Sequence, residues 1–218
     1  VGLGNKIFSK KFESDNRGDN ISLKNPFYGE YSFHYWLWKN ELKNFKDKEW
    51  VGFCQYRKFW SLSANKENYK DIDQLNKYLI KKIPETLNEY ETILGNPLFI
   101  NQLKPIKFFK KNFFKMLKNP NLLFNKKKRN IKFHFDLMHG EGNLEKAISL
   151  LEHEYKKDFE EYVNTEVSFN PHNMFICNSK KILNNFYSVV FPWLERCENK
   201  FGFNLEGYGL KRIYGFLA

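Results

Sequence analysis

Hydrophobic positions along the chain switch repeatedly between helical and strand spacing. From Asn25 to about Lys43, Tyr28, Tyr31, Tyr35, Leu37, Trp38 and Leu42 recur every three or four residues, which predicts an amphipathic helix. Asn25-Pro26 supplies an N-cap and a proline at the first helical position. Trp50-Val51-Gly52-Phe53-Cys54 is a short apolar run, rich in aromatic and β-branched residues, and predicts a buried strand. Asp71 caps a predicted helix through Lys82, with Ile72, Leu75, Leu79 and Ile83 on one face and Pro84 as its stop. Tyr90 to Leu94 reads as a strand closed by Gly95-Asn96-Pro97. Asn143 caps a further helix to about Val163, with Leu144, Ile148, Leu151 and Tyr155 inward. Ser168 to Cys177 is loop into strand. Ser179 then starts a helix through about Asn199, burying Leu183, Phe186, Val190, Trp193, Leu194 and Cys197, with a kink expected at Pro192. Strands separated by helices predict an α/β fold.

Composition narrows this picture. At 218 residues the chain suits one domain with a sizeable core, and 18% aromatic content sets it apart from disordered chains. Cys54, Cys177 and Cys197 are widely spaced and lack any metal or redox pattern, so all three are expected to be reduced core thiols of a cytosolic protein. No apolar run approaches the length of a membrane span, and no signal peptide is evident.

Charge is concentrated. Between Lys104 and Lys132 lie eleven basic residues and no acidic one, equal to the whole formal net charge of +11. Ile106, Phe109, Phe113, Met116 and Leu117 fall near helical spacing within this stretch. It reads either as a basic amphipathic insertion (104–132) for an anionic membrane surface or as a solvated insertion between sheet elements. Nucleic acid is not an expected partner, because no recognition module accompanies the charge.

Candidate chemistry begins where the Trp50 run ends. Gln55-Tyr56-Arg57-Lys58 places two adjacent cations at a strand tip, where ligands of open α/β sheets are met, and two cations suit an anionic ligand. A solvated basic turn after a core strand is the plainer alternative. Asp15-Asn16-Arg17-Gly18-Asp19-Asn20-Ile21-Ser22 is dense in short hydrogen-bonding side chains around a turn at Gly18, so loop and tip are expected to converge on one ligand. His134 to Glu141 holds two histidines but matches no strong metal-ligand spacing, and no metal site is expected.

The series DNRGDNISLKN, YGEYSFHYWLWKN and WVGFCQYRKFW resembles the bacterial capsule and O-antigen glycosyltransferase family known as domain of unknown function 4422. Its members typically read DxxGDNIS-x-KN, CELT-x-x-YWAWKN and YIGLCHYRRYF. The later HNMFI, FPWLE and YGLKRIYGFLA follow the family's order, so the resemblance covers nearly the whole chain. Gly29 replaces the usual Cys, Lys58 the second Arg, and Gln55, which cannot exchange a proton, the usual His.

The resemblance implies a GT-A-like, Rossmann-related mixed sheet flanked by helices in a single domain over residues 1–218. It also implies a first strand before Val1-Gly2, normally beside the Trp50 strand, and a Glu-Arg-Leu continuation after Ala218. The implied activity is glycosyl transfer from a nucleotide sugar, UDP-linked and of furanose type, to a lipid-linked or polysaccharide acceptor in capsule or O-antigen synthesis. Such transfer would be inverting and metal-independent, with no cofactor, at the cytoplasmic face of the bacterial inner membrane. Arg57 and Lys58 would then neutralise the departing diphosphate. Glu30 is one candidate for the general base, and the Glu following Ala218 in relatives is the other. Asp15, Asn16, Asp19, Asn20, Ser22, Lys24, Gln55, Tyr56 and Asn173 are implied as donor-binding residues. His139, Tyr35, Lys39 and Arg212 are implied to meet substrate. Outside the resemblance, a non-catalytic membrane-surface module built on 104–132 is the competing reading.

Overall fold

The computed structural model of the protein describes residues 2–4, 9, 11–55, 58–61, 71–102, 125, 128–204 and 210–218. Among the described residues the fold is mixed α/β, with helices and two small sheets. Residues cluster into two compact units. The first comprises Val1–Asn44, Leu98–Phe169 and Asn184–Ala218, and the second Phe45–Pro97 and Asn170–Leu183.

The first unit is mainly helical. The helix expected from Asn25 to Lys43 is instead broken. A short helix α1, Asn25–Tyr28, ends at Gly29, whose φ of 59° lies in the left-handed region. Helix α2, Tyr31–Trp36, follows and runs into a π-turn at Leu37–Glu41 and a 3-10 turn at Leu42–Asn44. Asn25 is not the N-cap, since Lys24 occupies that position. Its amide instead donates to the Gly29 carbonyl at 2.8 Å and to Ser32 Oγ at 2.9 Å, stitching the two helices across the break. Tyr28, Tyr31, Leu37 and Leu42 are buried as the periodicity predicts, and Trp36 joins them.

The helix expected from Asn143 to Val163 is also two. With α3 (Ile72–Tyr78) in the second unit and α4 (Ile131–His139) before them, they are α5, Asn143–Ser149, and α6, His153–Thr165. The long helix α7, Lys180–Phe201, supplies the reason. Trp193 Nε1 donates to the Ala147 carbonyl and Arg196 Nε to the Leu150 carbonyl, each at 2.7 Å, so α5's terminal acceptors are satisfied from outside. The Arg196 guanidinium also donates to Glu152 at 2.6 Å and fixes the start of α6. Tyr155, expected inward, is exposed, because α6 begins a new helical phase after the break.

On α7, Leu183, Tyr187, Val190, Leu194 and Cys197 form one buried stripe at helical spacing. His34 packs against Tyr187, with Nδ1 2.9 Å from the Tyr187 hydroxyl, and burial pushes its imidazole down to about 3. An unfolded chain protonates this histidine near its ordinary value of about 6.5, so below that pH the unfolded state binds the extra proton. Stability from this group is therefore complete above about 6.5 and is lost as pH falls toward 3. The loss is about 1.4 kcal/mol per pH unit. Denaturant titrations at pH 6.5 and 5 should show His34→Gln losing less stability than the parent by roughly 2 kcal/mol. Equal losses would place the acid sensitivity elsewhere.

Strands β3, Leu98–Phe99, and β4, Ser168–Phe169, pair antiparallel in this unit. The last helix, α8, Ile213–Leu217, buries Ile213, Tyr214 and Leu217. Gly215 lies against α1 so closely that a Cβ there would stand 2.7 Å from the Tyr28 carbonyl oxygen.

In the second unit β5, Phe175–Cys177, is the central strand, between β1, Val51–Gly52, and β2, Thr92–Leu94. Both pairings are antiparallel. The Trp50 run is thus a two-residue strand in which Val51 is half-buried, Gly52 exposed and Phe53 buried. Cys54 corrects the expectation for the thiols: it is exposed, whereas Cys177 and Cys197 are buried. Period-two alternation beside buried Phe53 turns it outward. Helix α3 starts as predicted, with the Asp71 carboxylate accepting from the Gln74 N–H at 2.8 Å, but stops at Tyr78, and Leu79 instead bridges to Ser61.

Candidate functional site

In the second unit the polar tip is built as a tight turn. Gln55 and Lys58 exchange both backbone hydrogen bonds, N to O at 3.2 and 3.1 Å. Tyr56 and Arg57 stand between them in sequence and lie outside the described residues. The base of the turn is anchored by Phe53, whose N–H donates to the Phe175 carbonyl at 2.9 Å and whose carbonyl accepts from Trp60 Nε1 at 2.9 Å.

Against this turn lies the loop before β5. Gln55 Nε2 donates to the His172 carbonyl at 3.0 Å, and the Lys58 ammonium meets His172 Nε2. Asn170 ties the loop's other end to the Gly95 carbonyl at 2.6 Å. His172 and Asn173 take φ values of 78° and 53°, two consecutive non-glycine residues in the left-handed region. Such backbone is costly and persists where surrounding contacts impose it, often at functional positions. Sequence reasoning singled out Asn173 and passed over His172. The available signal was Pro171-His172-Asn173 itself, since His and Asn are among the side chains that tolerate this region best.

The first unit gathers a different set. Asn40, on the π-turn, brackets Asp19: its amide donates to the Asp19 carbonyl at 2.7 Å and its oxygen accepts the Asp19 N–H at 3.2 Å. Gly18, at φ 61°, packs against the Asn40 side chain, where a Cβ would collide with Oδ1, and its left-handed backbone favours glycine. Tyr35 donates its hydroxyl to Asp19 at 3.3 Å, and burial, then the Asp19 charge, pushes its phenol up. Lys39 sits 3.7 Å above the Trp38 ring, which stacks on Phe191 at 5.5 Å. Asp19, Tyr35 and Lys39 are therefore neighbours, Lys39 standing 5.6 Å from the Tyr35 ring centroid. Asn40 was another residue the sequence reading missed.

Several other candidates are engaged within the fold. Asp15 is fully buried, accepting the Gly4 N–H at 2.8 Å and the Ser32 hydroxyl at 2.6 Å. Asn20 accepts from the backbone N–H and the hydroxyl of buried Ser22, at 3.2 and 2.7 Å. Asn16 is exposed and accepts from Ser14. Lys24 pairs with Glu198 at 2.7 Å, a carboxylate shared with the Tyr28 hydroxyl. His139 is buried, with Phe135 and Phe216 rings at 4.7 and 4.3 Å. Glu30 is half-buried at the start of α2, and Arg212 is exposed before α8. Among the described residues, no three His, Cys, Asp or Glu side chains are grouped to hold a metal ion. None of their helices is long and apolar enough to cross a membrane. Most of 104–132 lies outside the described residues.

Mixed α/β architecture and a motif series running the length of the chain define the class. The chain belongs to the family described as Domain of unknown function (DUF4422), which matches residues 1–218. No curated protein matches it in sequence. Among solved structures, the apo form of the WbbM bifunctional glycosyltransferase is similar, at 22% identity and a TM-score of 0.63. The likeness covers 94% of this chain and 34% of that one, so the chain spans about a third of that protein's length. At this identity the likeness is one of fold.

Proposed function

We propose that the chain is a glycosyltransferase domain with a GT-A-like organisation, transferring a sugar from a UDP-linked donor to a lipid-linked or polysaccharide acceptor in capsule or O-antigen synthesis. The observation that carries the reading is the tight turn closed by Gln55 and Lys58, with Lys58 presented against the left-handed His172-Asn173 loop. Fold likeness to part of a bifunctional glycosyltransferase supports it.

Glycosyl transfer from a nucleotide sugar expels a diphosphate, which gains charge as the glycosidic bond breaks. Arg57 and Lys58 would neutralise that charge, Arg57 through a two-pronged fork and Lys58 as a point charge. Gln55-Tyr56-Arg57-Lys58 contains no carboxylate with which to hold a hard cation on the diphosphate, so the transfer is metal-independent in this reading. An inverting transfer needs a base on the acceptor hydroxyl, for which Glu30 is the candidate within the chain. The basic segment that begins at Lys104 would dock on anionic lipid at the inner face of the membrane, near a lipid-linked acceptor, without Arg129, which is buried, and Lys132, which pairs with Asp136 and Glu145.

UDP should raise the melting temperature of the full-length protein in excess chelator, and to the same degree with Mg or Mn restored. A shift that appears only with the metal would remove the cationic tip from the role given to it. No shift under either condition would remove the nucleotide-sugar reading altogether.

A further inference from the structure

We infer that His172 is the positioning residue of the cationic tip, holding Lys58 in the orientation in which it meets the donor diphosphate. This rests on the glycosyltransferase reading above for the identity of the ligand, though not for the pairing itself. Two separate groups of His172 grip the turn from the same side. Its carbonyl takes the Gln55 amide at 3.0 Å, and its imidazole Nε2 takes the Lys58 ammonium. Gln55 and Lys58 are the two ends of the turn, so one residue pins both.

An ammonium has only protons to donate, so Nε2 serves as acceptor and the ring is neutral with its proton on Nδ1. The left-handed backbone at His172 and Asn173 is what brings carbonyl and ring to the same turn, and the Asn170 bond to the Gly95 carbonyl steadies the loop. A lysine on a flexible four-carbon stem gains most from such a holder, because ordering it otherwise costs rotamer entropy when the ligand arrives. Lys58 and His172 are both exposed, so the coupling belongs at the low end for a hydrogen bond to a charged group.

The experiment is a double-mutant cycle in the full-length protein, with UDP as the probe and imidazole nitrogen NMR as a second readout. His172→Phe keeps a ring but removes the acceptor, and should weaken UDP binding about three- to tenfold. His172→Gln, which can still accept from Lys58, should recover most of that loss. In a Lys58→Met background, His172→Phe should cost almost nothing further, since there is then no ammonium to position. In the unliganded protein, Lys58→Met should raise the His172 titration midpoint by relieving it of a neighbouring cation. Losses that simply add, or a midpoint indifferent to Lys58→Met, would overturn the inference. Parent protein that ignores UDP while its His172 midpoint still responds to Lys58→Met would sink the nucleotide-sugar reading and leave the pairing standing. The Lys58→Met arm leaves the His172 backbone untouched, so it stays informative if Phe is poorly accepted at a left-handed position.

Discussion

Arg57→Ala is expected to lower kcat by about a hundred- to thousandfold while the melting temperature barely moves. The expected magnitude is that of one preorganised electrostatic partner at a developing charge, about 2.7–4 kcal/mol. The leaving diphosphate carries more charge in the transition state than in the bound donor, so the loss should fall on kcat more than on donor KM. Stability should be spared, because the role proposed for Arg57 is on the departing diphosphate and not in holding the fold together. Arg57→Lys should rescue in part, keeping the charge and losing the forked geometry. An arginine that only anchors the turn predicts the reverse pattern, with a lower melting temperature and a normal rate per folded molecule. Parental turnover and donor KM in the alanine variant would move the site away from the tip.

Asp15→Ala should do the opposite, unfolding the protein more readily without a specific effect on donor. Its carboxylate is fully buried and receives the Gly4 N–H and the Ser32 hydroxyl. Removing it strips a charge-assisted acceptor from both donors and leaves a buried N–H without its partner. That should cost about 2–4 kcal/mol. In a chain of this size the melting temperature should fall by roughly 5–15 °C. Asp15→Asn should be milder, because one oxygen remains and the Ser32 hydroxyl can turn to accept from the new amide. UDP affinity, measured on the folded fraction of either variant, should match the parent. If it weakens while the melting temperature holds, Asp15 is a ligand-binding residue after all.

Asp15 also shows where sequence reading stops. A short acidic side chain in a loop of Asn, Gly and Ser reads the same whether it faces a ligand or the inside of its own loop. Only the positions of Gly4 and Ser32 decide between them. His172 is the converse case, since its role depends on a backbone conformation and on a partner far away in sequence. Local signals did carry through where the local chain sets the outcome. Asp71 caps its helix through a bond three residues on, and Leu183, Val190, Trp193, Leu194 and Cys197 are buried as helical period predicts, with Tyr187 taking the inward place expected of half-buried Phe186. They failed where another element intervened. Nothing between Asn143 and Val163 announces a break; it is made by Trp193 and Arg196 arriving from α7. Cys54 sits in an apolar run and faces outward because Phe53 takes the inward place.

The close seat of Gly215 on the Tyr28 carbonyl has a consequence for how the chain is born. Helix α1 is made well before the helix at residues 213–217, which packs on Tyr28. At about 5–20 residues per second, the intervening chain takes on the order of ten to forty seconds to synthesise. For that interval Tyr28 lacks the Tyr214 ring that stacks on it at 5.2 Å. The packing of His34 on Tyr187 can form before that interval ends, so the seat of α8 on α1 is among the last contacts of the first unit to close.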